Sequence, residues 1–187
     1  MHELISLLKS DLNAANAFGA LASAAAAFLA LVVSAISVGI SIWAMRLQRQ
    51  HNELSVRPLA EVTVADYENS LRVKLRNNGT GPMIVTGIEV SDGHSAKACV
   101  VEWMPSLPKG RPWTTFSHDL KDRTLQPGSA IVLLELTEHQ GEQDFASCRD
   151  LIRAALAPLT ITVDYTDIYN KAMPKRIKAL SWFGRRK

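Results

Sequence analysis

Charge is what this sequence withholds most plainly: from Ala17 to Met45 it has no Asp, Glu, Lys or Arg. Cysteine is nearly as scarce, with only Cys99 and Cys148 present. Two cysteines cannot make a disulfide framework, and they lack the close pairing that zinc sites use. They read as small buried apolar residues kept reduced. The five histidines, His2, His51, His94, His118 and His139, stand apart from one another, without Cys, Asp or Glu partners at ligand spacing. The chain has no phosphate-binding loop, no dinucleotide fingerprint and no nucleophile elbow. Asn77-Asn78-Gly79-Thr80-Gly81-Pro82 is glycine-rich, but it joins two strand patterns and so lacks the helix N-terminus of a phosphate cradle. It reads as a turn. These absences lead to the expectation of a protein that is not an enzyme and carries no metal or cofactor.

The mean hydropathy of +0.02 over 187 residues averages two unlike halves. The uncharged run, 17–45, exceeds the roughly 20 helical residues that cross a bilayer core of about 30 Å. It can therefore span with tilt. A signal peptide would open on basic residues and carry a shorter apolar core, whereas this chain opens Met1-His2-Glu3-Leu4. Gly19 and Gly39 lie too near the ends of the run to turn a hairpin of two spans. One span is expected. Positive charge sets its direction. Lys9 precedes it beside Glu3 and Asp11, while Arg46, Arg49 and Arg57 come after it. The N-terminus is expected outside the inner (plasma) membrane and the remainder in the cytoplasm.

Four segments are expected: an amphipathic N-terminal stretch 1–16, the span 17–45, a helical linker 46–57 and a cytoplasmic β-domain 58–187. Leu4, Ile5, Leu8 and Leu12 recur at helical spacing in the first. In the second, steps of four and three from Asn16 pass Ala20, Ser23, Ala27, Ala30, Ser34, Ser37, Ser41, Ala44 and Gln48, all small or uncharged. Leu29, Val33, Ile36, Ile40, Trp43 and Leu47 form the bulky neighbouring row. Alternating steps of four and three mark the seam of a left-handed helical bundle. Small residues let helices approach closely in lipid, so homo-oligomerisation through this seam is one reading. The other is a narrow pore lined by Ser34, Ser37 and Ser41, with Arg46 and Arg49 at its cytoplasmic mouth. Serine can also bond its own helix backbone, so hydroxyls alone do not choose between them. Arg57-Pro58 ends the linker, since the residue before proline avoids helical geometry.

From Pro58 the period becomes two. Strands are expected at 59–64, 71–76, 83–90, 97–103, 131–136, 159–165 and 175–180, with a helix from Glu142 to Ala157 whose apolar face is Ala146, Leu151, Ile152, Ala155 and Leu156. The fold class expected is an N-terminal transmembrane helix followed by a mainly β domain. About seven strands with one inserted helix make a β-sandwich or small barrel.

The formal charge of +3 gathers late in the chain, at Lys171, Lys175, Arg176, Lys178, Arg185, Arg186 and Lys187. Lys74, Arg76, Lys109, Arg111, Lys121 and Arg123 add further cations, with Trp103, Trp113, Phe116, Trp182 and Phe183 interleaved. Three explanations stay open: a solvated face, attraction to the anionic inner leaflet, or an anionic ligand such as a nucleotide or oligonucleotide. Arg46, Arg49, Lys175, Arg176, Lys178, Arg185 and Arg186 are the candidates for lipid or ligand. A cytosolic protein partner is a further expectation.

Three short pieces resemble a known group: Leu54-Ser55-Val56-Arg57-Pro58, Arg76-Asn77-Asn78-Gly79-Thr80-Gly81-Pro82, and Val163-Asp164-Tyr165-Thr166-Asp167-Ile168-Tyr169. Together with the layout they resemble bacterial single-span membrane proteins with a cytoplasmic β-domain. In that group the third piece is commonly followed by Gly, where this chain has Asn170. Some members are similar to membrane effectors of anti-phage operons, the Hailong type among them. That resemblance implies a soluble domain that senses a nucleotide-derived signal and an oligomeric membrane part that depolarises the cell. It implies no catalytic residue. The alternative is a non-conducting anchor for a β-sandwich interaction or sensor module.

Overall fold

The structure, a computed structural model, describes residues 2–108 and 111–185, with side chains from Asn13 onward. The amphipathic face expected of Leu4, Ile5, Leu8 and Leu12 lies outside the described side chains, as do Lys109, Arg186 and Lys187. The chain divides into two compact units, Met1–Asn52 and Glu53–Lys187.

Helix α1 (His2–Ser55) supplies the described residues of the first unit. Its stretch Asn13–Ser55 is the one helix, among the described residues, long and apolar enough to cross a membrane. Alanine, leucine and serine without proline let it run unbroken.

In the second unit, β1 (Ala60–Tyr67), β2 (Ser70–Asn77), β7 (Ala130–Thr137) and β5 (Thr115–Phe116) form one antiparallel sheet in the order β1-β2-β7-β5. The other sheet has the order β4-β3-β8-β9, from β4 (Ala96–Lys97), β3 (Met83–Ser91), β8 (Thr160–Thr166) and β9 (Arg176–Ala179); β6 (Thr124–Leu125) also pairs with β3. Leu71, Val73 and Leu75 of β2 meet Ile161, Val163 and Tyr165 of β8 in one buried core, with Arg72, Lys74 and Arg76 on the opposite face of β2. Two sheets around a common core make a sandwich rather than a closed barrel.

Several local expectations are corrected. The described residues hold nine strands where about seven were expected, because the two additional pairings of two residues each (β5 and β6) are too short to leave a periodic signal. The strand expected at 97–103 is instead β4 followed by a 3₁₀ turn, Val100–Trp103. Trp103 Nε1 donates to Val90 O at 3.1 Å, which curls the segment back onto β3. In β7, Leu133 and Leu134 are consecutive yet both buried, because the β2–β7 register slips between Val73 and Lys74. A bulge of this kind sets two neighbours toward one face.

Helix α2 (Phe145–Leu156) buries Phe145, Cys148, Ile152, Arg153 and Leu156, while Leu151 and Ala146 are exposed. Its inner face is thus rotated from the one expected. The cause is polar. Arg153 Nε donates to Asp66 Oδ2 at 2.7 Å, Arg153 Nη2 reaches the same oxygen, and Nη1 donates to Asp150 at 2.8 Å. Arg149 Nη1 donates to the carbonyls of Tyr67 and Glu68, each at 2.9 Å. Together they fasten α2 to the β1–β2 turn. The Asp66 carboxylate, then that of Asp150, holds the Arg153 guanidinium above its ordinary pKa despite burial.

Candidate functional site

The seam expected in the first unit consists of exposed residues. Ser23, Ala27, Ala30, Ser34, Ser37 and Ser41 all lie on open helix surface, as do Arg46 and Arg49 beyond them. Ser37 Oγ donates to Val33 O and Ser41 Oγ to Ser37 O, both at 2.8 Å, so these hydroxyls are satisfied four residues back on their own helix. The bulky row is equally uncovered: Leu29, Val33, Ile36, Ile40, Trp43 and Leu47 are each 55–67 % exposed. A soluble protein rarely leaves so continuous an apolar surface bare. At about 1.5–3 kcal/mol per large side chain, the row gains strongly from any apolar surrounding.

In the second unit the three short pieces noted in the sequence converge. Asn77 ends β2 fully buried and works as a hub. Its Oδ1 accepts the backbone N–H of Leu59 at 3.2 Å and of Gly79 at 3.0 Å, and its Nδ2 donates to Gly81 O at 2.8 Å and Leu125 O at 3.1 Å. The turn it shapes receives the stretch Val56–Pro58 directly. Thr80 Oγ1 donates to Ser55 O at 2.6 Å, Thr80 N to Arg57 O at 3.1 Å, and Asn78 N to Leu59 O at 2.8 Å. The approach is close enough that Gly79 and Gly81 have no space for a side chain: a Cβ on Gly79 would meet the Pro58 carbonyl carbon at 2.6 Å, and one on Gly81 the Val56 carbonyl carbon at 2.5 Å. The glycines are there for backbone contact, not for a phosphate.

The third piece builds the neighbouring loop. Asp167 is buried, and its Oδ1 accepts the N–H groups of Tyr169 at 2.8 Å and Lys171 at 2.9 Å. Asn170 takes a positive φ of 58°, the conformation for which glycine is the usual choice. Lys171 then pairs with Glu53 at 3.3 Å. All three pieces therefore serve the point where residues 53–58 join the β-domain.

The basic residues are distributed rather than gathered. β9 is an edge strand carrying Arg176, Ile177 and Lys178, all exposed, with Lys175 just before it bound to Asp164 at 3.1 Å. Arg176 stands opposite Val163 and Lys178 opposite Ile161, so both share the sheet face of core residues while remaining wet. Charges placed this way also discourage edge-to-edge pairing. Arg185 lies in the 3₁₀ turn Ser181–Arg185, lining a recess of about 220 Å³ with Asp66, Trp182 and Phe183. Phe183 is buried and packs edge-on against Trp182, centroids 5.3 Å apart. Phe183 thus belongs to the core, and Trp182 packs against it half-buried. The Arg111 side chain is buried too, over the Phe145 ring, with Nη2 donating to Thr137 O at 2.6 Å and Glu142 Oε2 at 2.7 Å. It borders a recess of about 490 Å³ whose other walls include His139, Glu142 and Asp144.

One cluster has no counterpart among the sequence motifs. Cys99, Glu102 and His118 bring a thiol, a carboxylate and an imidazole nitrogen within 4.8 Å of one another. Cys99 Sγ lies 2.8 Å from Glu102 Oε1 and 3.3 Å from His118 Nδ1. Burial, reinforced by Glu102, pushes the thiol up to about 11. Cys99 and Glu102 flank one helical turn, a spacing visible in the sequence, but His118 arrives from a distant loop and left no local signal.

No protein-family model, curated protein or solved structure matches this chain.

Proposed function

We propose that the chain is a homo-oligomeric membrane effector: α1 spans the bilayer, and the β-sandwich sits in the cytoplasm and controls the assembly on binding a partner or a nucleotide-type anion. The observation that carries the reading is the uncovered apolar surface of α1, whose row of bulky side chains is more than half exposed and therefore calls for lipid and sister helices. Arg46, Arg49 and Arg57 favour the cytoplasmic side for the chain beyond the span. Residues 53–58 support the coupling, because the Asn77 turn and the Lys171–Glu53 pair hold them to the sandwich. On this reading a displacement of the sandwich is passed to the span through residues 53–58. The resemblance to anti-phage membrane effectors fits the same scheme, with depolarisation as the output.

The test is conductance. Wild-type protein in planar bilayers, with its activating ligand or after domain displacement, should conduct, and Ser37→Leu or Ser41→Leu should abolish it while leaving the protein membrane-bound. Unchanged conductance in both variants overturns the pore.

A second reading has its own support. Because Ser37 and Ser41 already bond their own helix, they need no water-filled lumen. On this reading the oligomer is a non-conducting anchor that recruits a cytosolic protein, and replacing 17–45 with a polyleucine helix preserves activity.

A further inference from the structure

We propose that Cys99, Glu102 and His118 form a binding site for a zinc-class transition-metal ion, with solvent completing the coordination. The donor set selects the metal. A thiolate, an imidazole and a carboxylate suit Zn²⁺ and its first-row neighbours, whereas Mg²⁺ and Ca²⁺ require oxygen ligands throughout.

The geometry is near what such an ion needs. Zinc bonds of about 2.0–2.3 Å in a tetrahedron set neighbouring donors about 3.3–3.8 Å apart. Cys99 Sγ and His118 Nδ1 already stand 3.3 Å apart, and Cys99 Sγ and Glu102 Oε1 stand 2.8 Å apart. The carboxylate must yield most, by about 0.5–1 Å on those bond lengths, and the thiol–imidazole pair by about 0.2 Å. Glu102 is exposed and free to swing by that amount. The backbone positions, by contrast, are fixed. Trp103 Nε1 anchors the Cys99–Glu102 turn to Val90 O, and Lys97 Nζ donates to Glu102 O at 2.7 Å. Next to His118, Ser117 is fastened to β7 twice, through its N–H to Leu133 O at 3.3 Å and its Oγ to Val132 O at 2.7 Å. A preorganised triad spares an ion most of the ordering cost.

Burial is graded in the right sense: Cys99 is buried, while Glu102 and His118 are exposed, so an ion has an entry path and an open position. The same residues do not suit a nucleophilic cysteine. A carboxylate against the thiol opposes the thiolate that attack requires, whereas a dication between them neutralises both.

The experiment uses the full chain in detergent, free of any polyhistidine tag, reduced and stripped with chelator, then titrated with Co²⁺ without oxygen. One equivalent should produce a thiolate-to-cobalt charge-transfer band with tetrahedral ligand-field bands, and Zn²⁺ should bleach them. Cys99→Ser should remove the charge-transfer band. Glu102→Gln and His118→Ala should weaken binding by about tenfold or more. His118 and Glu102 are exposed, so these two variants keep the question answerable if Cys99→Ser disturbs the fold. Cys148→Ser should change nothing. A silent titration, a band that survives Cys99→Ser, or one lost in Cys148→Ser overturns the site.

Discussion

Gly81→Ala is the most direct probe of the joint between residues 53–58 and the sandwich. Ordinary contact begins at 3.4 Å, and the Val56 carbonyl carbon would stand 2.5 Å from the new Cβ with its oxygen nearer still, so the carbonyl must withdraw by more than the 0.9 Å its carbon alone requires. What lies there is backbone, which has no rotamer to change. Withdrawal stretches Thr80 Oγ1–Ser55 O from 2.6 Å and Thr80 N–Arg57 O from 3.1 Å beyond bonding range. Two hydrogen bonds at about 1 kcal/mol each, with about 1–3 kcal/mol of overpacking strain, give a loss of about 3–5 kcal/mol. At about 3–4 °C per kcal/mol for a domain of this size, the melting temperature of the sandwich falls by about 10–20 °C. Near-ultraviolet circular dichroism of the full chain in detergent reads it. Gly87→Ala is the control: its nearest neighbour would stand at 3.9 Å, so it should melt like wild type or slightly higher. A Gly81→Ala protein melting within about 3 °C of wild type refutes the argument, since that is less than 1 kcal/mol.

Removing one partner of the Asp66–Arg153 pair should be worse than removing both. Asp66→Ala leaves a guanidinium whose side chain is 10 % exposed with the solvent-exposed Asp150 as its remaining carboxylate, at a cost of about 3 kcal/mol, whereas Asp66→Leu combined with Arg153→Met should recover most of it in denaturant melts. Equal losses in the two proteins would contradict this. If β9 meets an anionic ligand, nucleotides or short oligonucleotides should raise the melting temperature of the full chain, and Arg176→Gln with Lys178→Gln should abolish that rise. A rise that persists in the double variant moves the ligand elsewhere, with the Arg111 recess the next place to test.

Periodicity carried the architecture. An uncharged run and a switch to period two yielded the helix and the main strands, because continuous burial or alternation is written directly into residue order. Asn170 could be read as a glycine substitute from its type alone, and its φ of 58° agrees. The rest depended on partners distant in sequence. No local signal says that Arg153 turns inward, because the reason is Asp66, on a strand far earlier in the chain. Nor could Leu133 and Leu134 be assigned one face without the bulge that their pairing with β2 imposes. The two-residue strands, the rotated face of α2 and the Cys99–Glu102–His118 cluster are of the same kind.

The sequence by itself determined where charge is absent, where the period changes and which turns need glycine or asparagine, since each of these is a property of a residue and its immediate neighbours. Only the tertiary structure decided that the three short pieces share one joint, that Phe183 belongs to the core with Trp182 packed against it, and that a thiol, a carboxylate and an imidazole meet. Those outcomes come from contacts between distant segments, which exist once chain entropy has been overcome and are invisible before it.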